Sequence, residues 1–325
     1  MTDKQPPTRV WILGAGFSRA LGGPLFDDLL QETNVNQISK LLPNEDSATI
    51  LDVEQTFRLW RYSPRFSDAT GSPSSHNGAV LWQNAEQFLV ELSYVADGLC
   101  PPLTLLDGVL DQAKAKNLYR CAASMIAAQC HHFVARFEKA KKNYECWSPY
   151  MKWLTKLDGH DYVFTFNYDL VFEEAAKAVN RDFLRADEWR PTGSEVSPMF
   201  VKLHGSVGQS ADAHKIYIPG SSKMNATKNE LGKEWALLRK MLAQAGAVRI
   251  LGYSLPPSDA LSRRDIVESL RNNRNCKIDL VLGRVRGPEV NALETVLTML
   301  GTQQVNVRTV NAEEYIDTYP HADKG

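Results

Sequence analysis

The stretch Val10-Trp11-Ile12-Leu13-Gly14-Ala15-Gly16-Phe17-Ser18 decides how this chain is read. Its first four residues form a short apolar run of the kind that makes a strand buried on both faces. Gly14 and Gly16 then allow a tight backbone turn and a close approach to a ligand. Ser18 follows, and Arg19-Ala20-Leu21 can open a helix. A phosphate placed at that turn would meet backbone N–H groups and the positive end of a helix dipole. The segment departs from the dinucleotide fingerprint, because Arg19 stands where a third glycine would permit close helix–strand packing. Nor is it a Walker A loop, since no Gly-Lys-Ser/Thr follows. Taken alone, it reads equally as a nucleotide site or as a plain glycine turn between a core strand and a helix.

Five further runs have strand character. They are Val163-Phe164-Thr165-Phe166, Phe200-Val201-Lys202-Leu203, Val248-Arg249-Ile250-Leu251, Ile278-Asp279-Leu280-Val281-Leu282 and Val305-Asn306-Val307-Arg308-Thr309-Val310. Most are short and rich in β-branched or aromatic residues, and several are nearly continuous in apolar character, which suits central strands covered on both faces. Helical patterns separate several of them: residues 170–179 with Leu170, Val171, Ala175 and Ala178; residues 233–245 with Trp235, Leu238 and Leu242; residues 290–300 with Leu293, Val296, Leu297 and Leu300. This alternation predicts an α/β fold, a Rossmann-like doubly wound and mostly parallel sheet.

Between residues 24 and 149 the texture changes. Strand signals fade, and amphipathic stretches cover 85–95 and 118–137, the latter with Met125, Ile126, Phe133 and Phe137 on one helical face. The pattern predicts a helical insert or lid at 25–149, set into a core made of 8–24 and 150–318. Residues 63–78, rich in Ser, Pro, Gly and Asn, read as a loop.

Composition narrows the function classes. A chain of 325 residues can bury one large core or two smaller ones. A net charge of −1 gives no global attraction to nucleic acid or to an anionic membrane. No apolar run is long enough to span a bilayer. Met1-Thr2-Asp3-Lys4-Gln5-Pro6-Pro7 lacks the apolar region of a signal peptide, so a cytoplasmic protein is expected. The five cysteines, Cys100, Cys121, Cys130, Cys146 and Cys276, are scattered and contain no C-x-x-C pair. That argues against a disulfide framework or a zinc ribbon and for buried apolar thiols. His131-His132 does not make a metal site, because adjacent helical positions do not face each other.

Three segments follow predicted strands and carry polar side chains: Thr165-Phe166-Asn167-Tyr168-Asp169, Lys202-Leu203-His204-Gly205-Ser206, and Leu251-Gly252-Tyr253-Ser254-Leu255-Pro256-Pro257-Ser258-Asp259. The carboxyl ends of parallel strands converge on one ligand crevice. Each segment also has a plain reading. Asn167 and Asp169 can cap the helix that starts near Leu170. His204-Gly205-Ser206 can be a turn with a satisfied histidine. Gly252 to Pro257 can be a loop, with Pro257 or Ser258 starting a helix.

Together with Gly14-Ala15-Gly16-Phe17-Ser18 and Gly23-Pro24, the motifs Asn167-Tyr168-Asp169, Leu203-His204-Gly205-Ser206 and Gly252-Tyr253-Ser254-Leu255-Pro256-Pro257 resemble, in order, those of the sirtuin superfamily. The Asn-Tyr-Asp and Gly-Tyr-Ser-Leu-Pro-Pro forms are closer to prokaryotic sirtuin-like NADase domains of anti-phage defence systems than to protein deacylases. The resemblance covers residues 10–24 and 161–310, and not the insert. It implies that Ala15, Gly16 and Ser18 line the diphosphate and ribose end of an NAD+ site, within a cofactor-binding set that also takes in Gly14, Phe17, Thr165 and Tyr253. It implies that Gly252 and Ser254 contact the adenosine half. Asn167 would hold the nicotinamide ribose and a nearby water, Asp169 would support that loop, and His204 would be the general base. Glu86 resembles an acidic position of such domains.

Two departures shape the expected activity. Deacylases carry two C-x-x-C pairs between the histidine motif and the Gly-x-Ser motif; residues 206–249 here contain no cysteine, so no zinc is expected. Leu282-Gly283-Arg284 stands where deacylases place an asparagine for the adenine ribose. Without an acyl-lysine acceptor, water is the natural acceptor. The resemblance therefore implies hydrolysis of NAD+ to nicotinamide and ADP-ribose by the effector of an abortive-infection system. It also implies a homo-oligomer held inactive by assembly or insert, with a separate sensor or ATPase partner, and no direct contact with nucleic acid or membrane. The other readings are a non-catalytic NAD+ or ADP-ribose binding module and a protein ADP-ribosyltransferase or deacylase.

Overall fold

The computed structural model describes residues 7–25, 29–30, 35–62, 85–105, 108–140, 146–186, 197–208, 215–256, 259–283, 296–301 and 304–319. The loop expected at 63–78, the first six residues of the helix expected at 290–300, and Pro257, Ser258 and Arg284 lie outside them.

The chain divides into two compact units, one of Met1–Gly23, Phe133–Ser206 and Ala226–Gly325, the other of Pro24–His132 and Val207–Asn225. The first unit is an α/β fold around a parallel sheet. Its strands are β1 (Arg9–Leu13), β4 (Asp161–Thr165), β5 (Met199–Lys202), β8 (Ala247–Leu251), β9 (Lys277–Val281) and β10 (Gln304–Arg308), in the order β10-β9-β8-β1-β4-β5. Neighbouring strands in this sheet are parallel. This is the strand order of the dinucleotide-binding Rossmann sheet, with the switch point between β1 and β8.

The sequence dictates this arrangement through its two-sided apolar strands. Val10 and Ile12 of β1 point into one core with Phe164, Val201, Val248, Ile250 and Ile278. Trp235, Leu238, Met241 and Leu242 of the helix α9 (Gly232–Gln244), and Ile266, Val267 and Leu270 of α10 (Ala260–Arg271), complete it. Trp11 and Leu13 point into the opposite core with Val163, Leu251 and Val281. Helices α6 (Ser148–Lys156) and α7 (Val171–Ala178), together with the last helix Ala312–Thr318, cover that side. Alternation of side-chain direction along a strand places one set of residues in each core.

Register is fixed at the amino ends of β1 and β4. Arg9 forks onto Asp161 through Nε (2.8 Å) and a terminal nitrogen (2.7 Å), while the Trp11 indole N–H donates to Asp161 at 2.8 Å. Arg9 thus stands opposite Asp161 and Leu13 opposite both Thr165 and Leu251. The strand-end motifs are thereby brought level.

The second unit holds α2 (Val35–Leu41), α3 (Ser47–Tyr62), α4 (Ala85–Ala96) and the first part of α5 (Gln112–Ala140). It also holds strands β2 (Leu103–Leu105) and β3 (Gly108–Leu110), an antiparallel pair. The sequence predicts no strand here, because three-residue strands are too short to show a period. The segment Val207–Asn225 belongs to this unit and carries the short strand β7 (Lys215–Ile216); β6 (Gly205–Ser206) precedes it. Tyr119 donates to the carbonyls of Ile218 and Pro219, both at 3.1 Å, and the Ser221 N–H donates to the Ser93 hydroxyl at 3.1 Å. Helix α8 (Ser221–Lys228) begins there.

Of the cysteines, Cys121, Cys130 and Cys276 are buried and Cys100 and Cys146 exposed, all as free thiols. Burial pushes the Cys121 and Cys276 thiols up to about 11. Among the described residues, no helix is long and apolar enough to cross a membrane.

Candidate functional site

The candidate site forms at the carboxyl ends of β8, β1, β4 and β5, which are adjacent in the sheet. At the switch point the turn after β1 meets the turn after β8. A Cβ on Gly14 would lie 2.6 Å from the Gly252 carbonyl and from Tyr253, and one on Gly16 would lie 2.7 Å from the Gly252 Cα. Gly252 has φ of +63°, and a Cβ there would sit 2.5 Å from the Gly16 backbone. Only glycine lets two strand ends pass this closely.

The turn uses its own donors. The Gly14 N–H donates to the Leu251 carbonyl (2.9 Å), Gly16 to Gly252 (3.0 Å) and Phe17 to Gly14 (2.9 Å). These three amides therefore serve the protein rather than a phosphate. The helix α1 starts earlier than the expected Arg19, spans only Ala15–Ser18 and passes into a 3-10 turn at Arg19–Leu21. The Phe17 ring is core, packed edge-on against Tyr150 (5.0 Å) and Trp153 (5.6 Å). Its carbonyl accepts the Tyr150 hydroxyl at 2.7 Å.

Ser18 joins the first motif to the second. Its hydroxyl donates to Asp169 at 2.8 Å and accepts the Asn167 side-chain amide at 3.1 Å. The Asn167 N–H donates to the Thr165 hydroxyl at 3.1 Å. Asp169 accepts the Val171 N–H at 3.0 Å, which anchors the start of α7. Asp169 thus bonds the first amide of α7 as well as Ser18, while the N-cap position itself is Leu170, which makes no side-chain cap bond. Desolvation pushes the Asp169 carboxyl above the ordinary carboxylate range, and the Lys202 ammonium pulls it partly back. Lys202 also donates to the Asp169 carbonyl, to Glu173 (2.9 Å) and to the Ser206 hydroxyl (2.9 Å). It ties the end of β5 to the loop after β4.

Phe166 is the hub of the third and fourth motifs. Its ring stacks on Tyr253 (4.1 Å, 10°) and meets His204 edge-on at 4.6 Å. His204 is 5% exposed. Its Nε2 lies 3.5 Å from an Asp259 carboxylate oxygen and 3.5 Å from the Ser262 hydroxyl. The Tyr253 hydroxyl donates to the same Asp259 at 2.7 Å. Ser254 is exposed on this loop, whereas the Tyr253 side chain is buried.

All four motifs thus share one network, running from Gly14 through Ser18, Asn167 and Asp169, and from Phe166 to His204 and Tyr253. Sequence reading misses Asp259, Ser262, Lys202 and the linking role of Phe166. Asp259 and Lys202 stand within or beside the quoted motifs, yet nothing in a linear pattern says what they face. Ser262 carries no sequence signal. Glu86 lies in the first turn of α4, in the second unit. Among the described residues, no group of three His, Cys, Asp or Glu side chains is placed to hold a metal ion.

Comparison with family models finds no match, and comparison with curated proteins finds no similar sequence.

Proposed function

We propose that this chain is an NAD+ hydrolase of the sirtuin-like class, releasing nicotinamide and ADP-ribose. What supports the reading is the joining of four strand-end motifs, in the dinucleotide-binding strand order, into one network around Asn167 and His204. An open sheet of this order binds its ligand outside the carboxyl ends of the strands at the switch point. Here that region is bounded by Gly14–Ser18 on one side and Gly252–Ser254 on the other.

The reaction breaks the bond between nicotinamide and the ribose anomeric carbon, and the bonding electrons leave with nicotinamide. The sugar passes through an oxocarbenium-like state. Water then adds at the anomeric carbon and one proton is released. Asn167, held by Ser18 and Thr165, orients the ribose and that water. His204 takes up the proton, as an imidazole does near neutral pH. Asp169 and Lys202 fix the Asn167 loop. Binding energy from the diphosphate and adenosine halves is applied to bond cleavage at the far end.

The test is chromatography of NAD+ products. Wild type releases nicotinamide and ADP-ribose, and Asn167→Ala and His204→Ala each lower the rate by about 10²-fold or more. Purified wild type that leaves NAD+ intact, with any activating partner present, sinks the proposal.

A further inference from the structure

Resting on the assignment of His204 as general base, we infer that Asp259 is its positioning residue: the buried carboxylate holds the imidazole and stabilises the proton it accepts. Both side chains are almost wholly enclosed, with 6% and 8% of their surface exposed, and Nε2 lies 3.5 Å from the carboxylate. A carboxylate is not carried into such a place without partners. Asp259 has two hydroxyl donors from different elements, Tyr253 in the loop after β8 and Ser262 on α10. They fix its orientation.

The position of Asp259 makes this orientation informative. Asp259 is the residue immediately before α10, where an aspartate ordinarily accepts a helix N–H. Its side chain makes no such cap bond. Its carboxylate instead accepts the Ser262 hydroxyl in the first turn of α10 and the Tyr253 hydroxyl, and stands against His204.

The other described side chains that contact the imidazole are aromatic rings and a hydroxyl. Beside it stand Phe166 and Tyr168 after β4, Trp235 on α9 and Ser262 on α10. Lys202, two residues earlier, is directed to Asp169 and Glu173. Asp259 is a negative group facing His204 at 3.5 Å, and a nearby negative charge favours the protonated imidazole. When the ribose hydroxyl or the attacking water gives up its proton, the proton passes to His204 and Asp259 stays ionised.

The experiment is NMR titration of the His204 ring in the full chain, its signal assigned by loss in His204→Ala. Asp259→Asn lowers the His204 midpoint by about one pH unit, a tenfold change in proton affinity. Tyr253→Phe removes a donor from the carboxylate and raises the midpoint by a few tenths of a unit; this variant serves if Asp259→Asn does not fold. In turnover, Asp259→Asn lowers kcat by about tenfold or more and moves the acid limb of the rate profile to lower pH. NAD+ affinity by calorimetry stays within about threefold of wild type. A His204 midpoint that is unmoved in the variants overturns the pairing. An unmoved acid limb with kcat intact overturns the catalytic role. Wild type that releases no nicotinamide overturns the hydrolase reading itself, whatever the titration shows.

Discussion

At the scale of the residue, Asp169 and Lys202 carry the clearest energetic consequence. The Asp169 carboxyl is held above its ordinary value of 3.8 by desolvation, so its ionisation works against folding. The stability linked to it is greatest below that ordinary value and falls as pH rises through the higher folded-state value. Lys202, largely buried at 12% exposed, offsets this with its charge and with a bond to the Asp169 carbonyl. Removing one partner of a buried pair leaves an uncompensated charge. Lys202→Met is expected to cost about 3 kcal/mol at pH 8 and less at pH 5, with Asp169→Asn in the same chain recovering part of the loss. Urea unfolding of the single and double variants at both pH values checks this. A loss independent of pH would place the role of Lys202 in its carbonyl bonds alone.

At the scale of the element, the crossing of the β1 and β8 turns is the tightest point of the site. Gly14→Ala would push a methyl to 2.6 Å from the backbone of Gly252 and Tyr253. Overpacking of this kind costs roughly 1–3 kcal/mol, and at Gly252, with φ of +63°, a left-handed cost of about 1–2 kcal/mol is added. Gly252→Ala is thus expected to be the more destabilising of the two by thermal unfolding. Phe166→Ala removes the ring that joins Tyr253 to His204 and is expected to cost roughly 3–5 kcal/mol. It should also abolish turnover before it abolishes the fold, as activity and circular dichroism measured on one sample will tell. The elements themselves were largely legible. Val10-Trp11-Ile12-Leu13 and Val248-Arg249-Ile250-Leu251 read as strands because strands buried on both faces are nearly continuous in apolar character. The pair β2–β3 was not legible, since its strands are only three residues long.

At the scale of the whole molecule, the hydrolase reading predicts that NAD+ stabilises the folded chain. With turnover blocked by Asn167→Ala, NAD+ at a hundred times its dissociation constant adds about 2.7 kcal/mol, seen as a rise in the thermal midpoint. Millimolar NAD+ with no shift would count against a nucleotide site. The control by assembly and a partner that the sirtuin-like resemblance implies would make two further demands. Light scattering should find the purified chain as an oligomer, and expression of the chain alone should leave cellular NAD+ intact. NAD+ loss under those conditions removes the need for a partner.

The amino-acid sequence suffices for the α/β class, the six strands of the parallel sheet and the motifs that follow four of them. These are local properties, carried by apolar runs and by glycines next to them. What the motifs do to one another depends on the folded chain. The Gly14–Ser18 turn keeps the Gly14, Gly16 and Phe17 amides for its own bonds and meets Gly252 through bare backbone. Phe17 anchors a core rather than facing outward, and Asp259, at the start of α10, stands against His204. Val207–Asn225, which begins three residues after His204, packs with the helical unit. Pattern cannot reveal such facts, because each depends on groups brought together from distant parts of the chain. Sheet register and side-chain burial set those meetings, and neither is written at any single position.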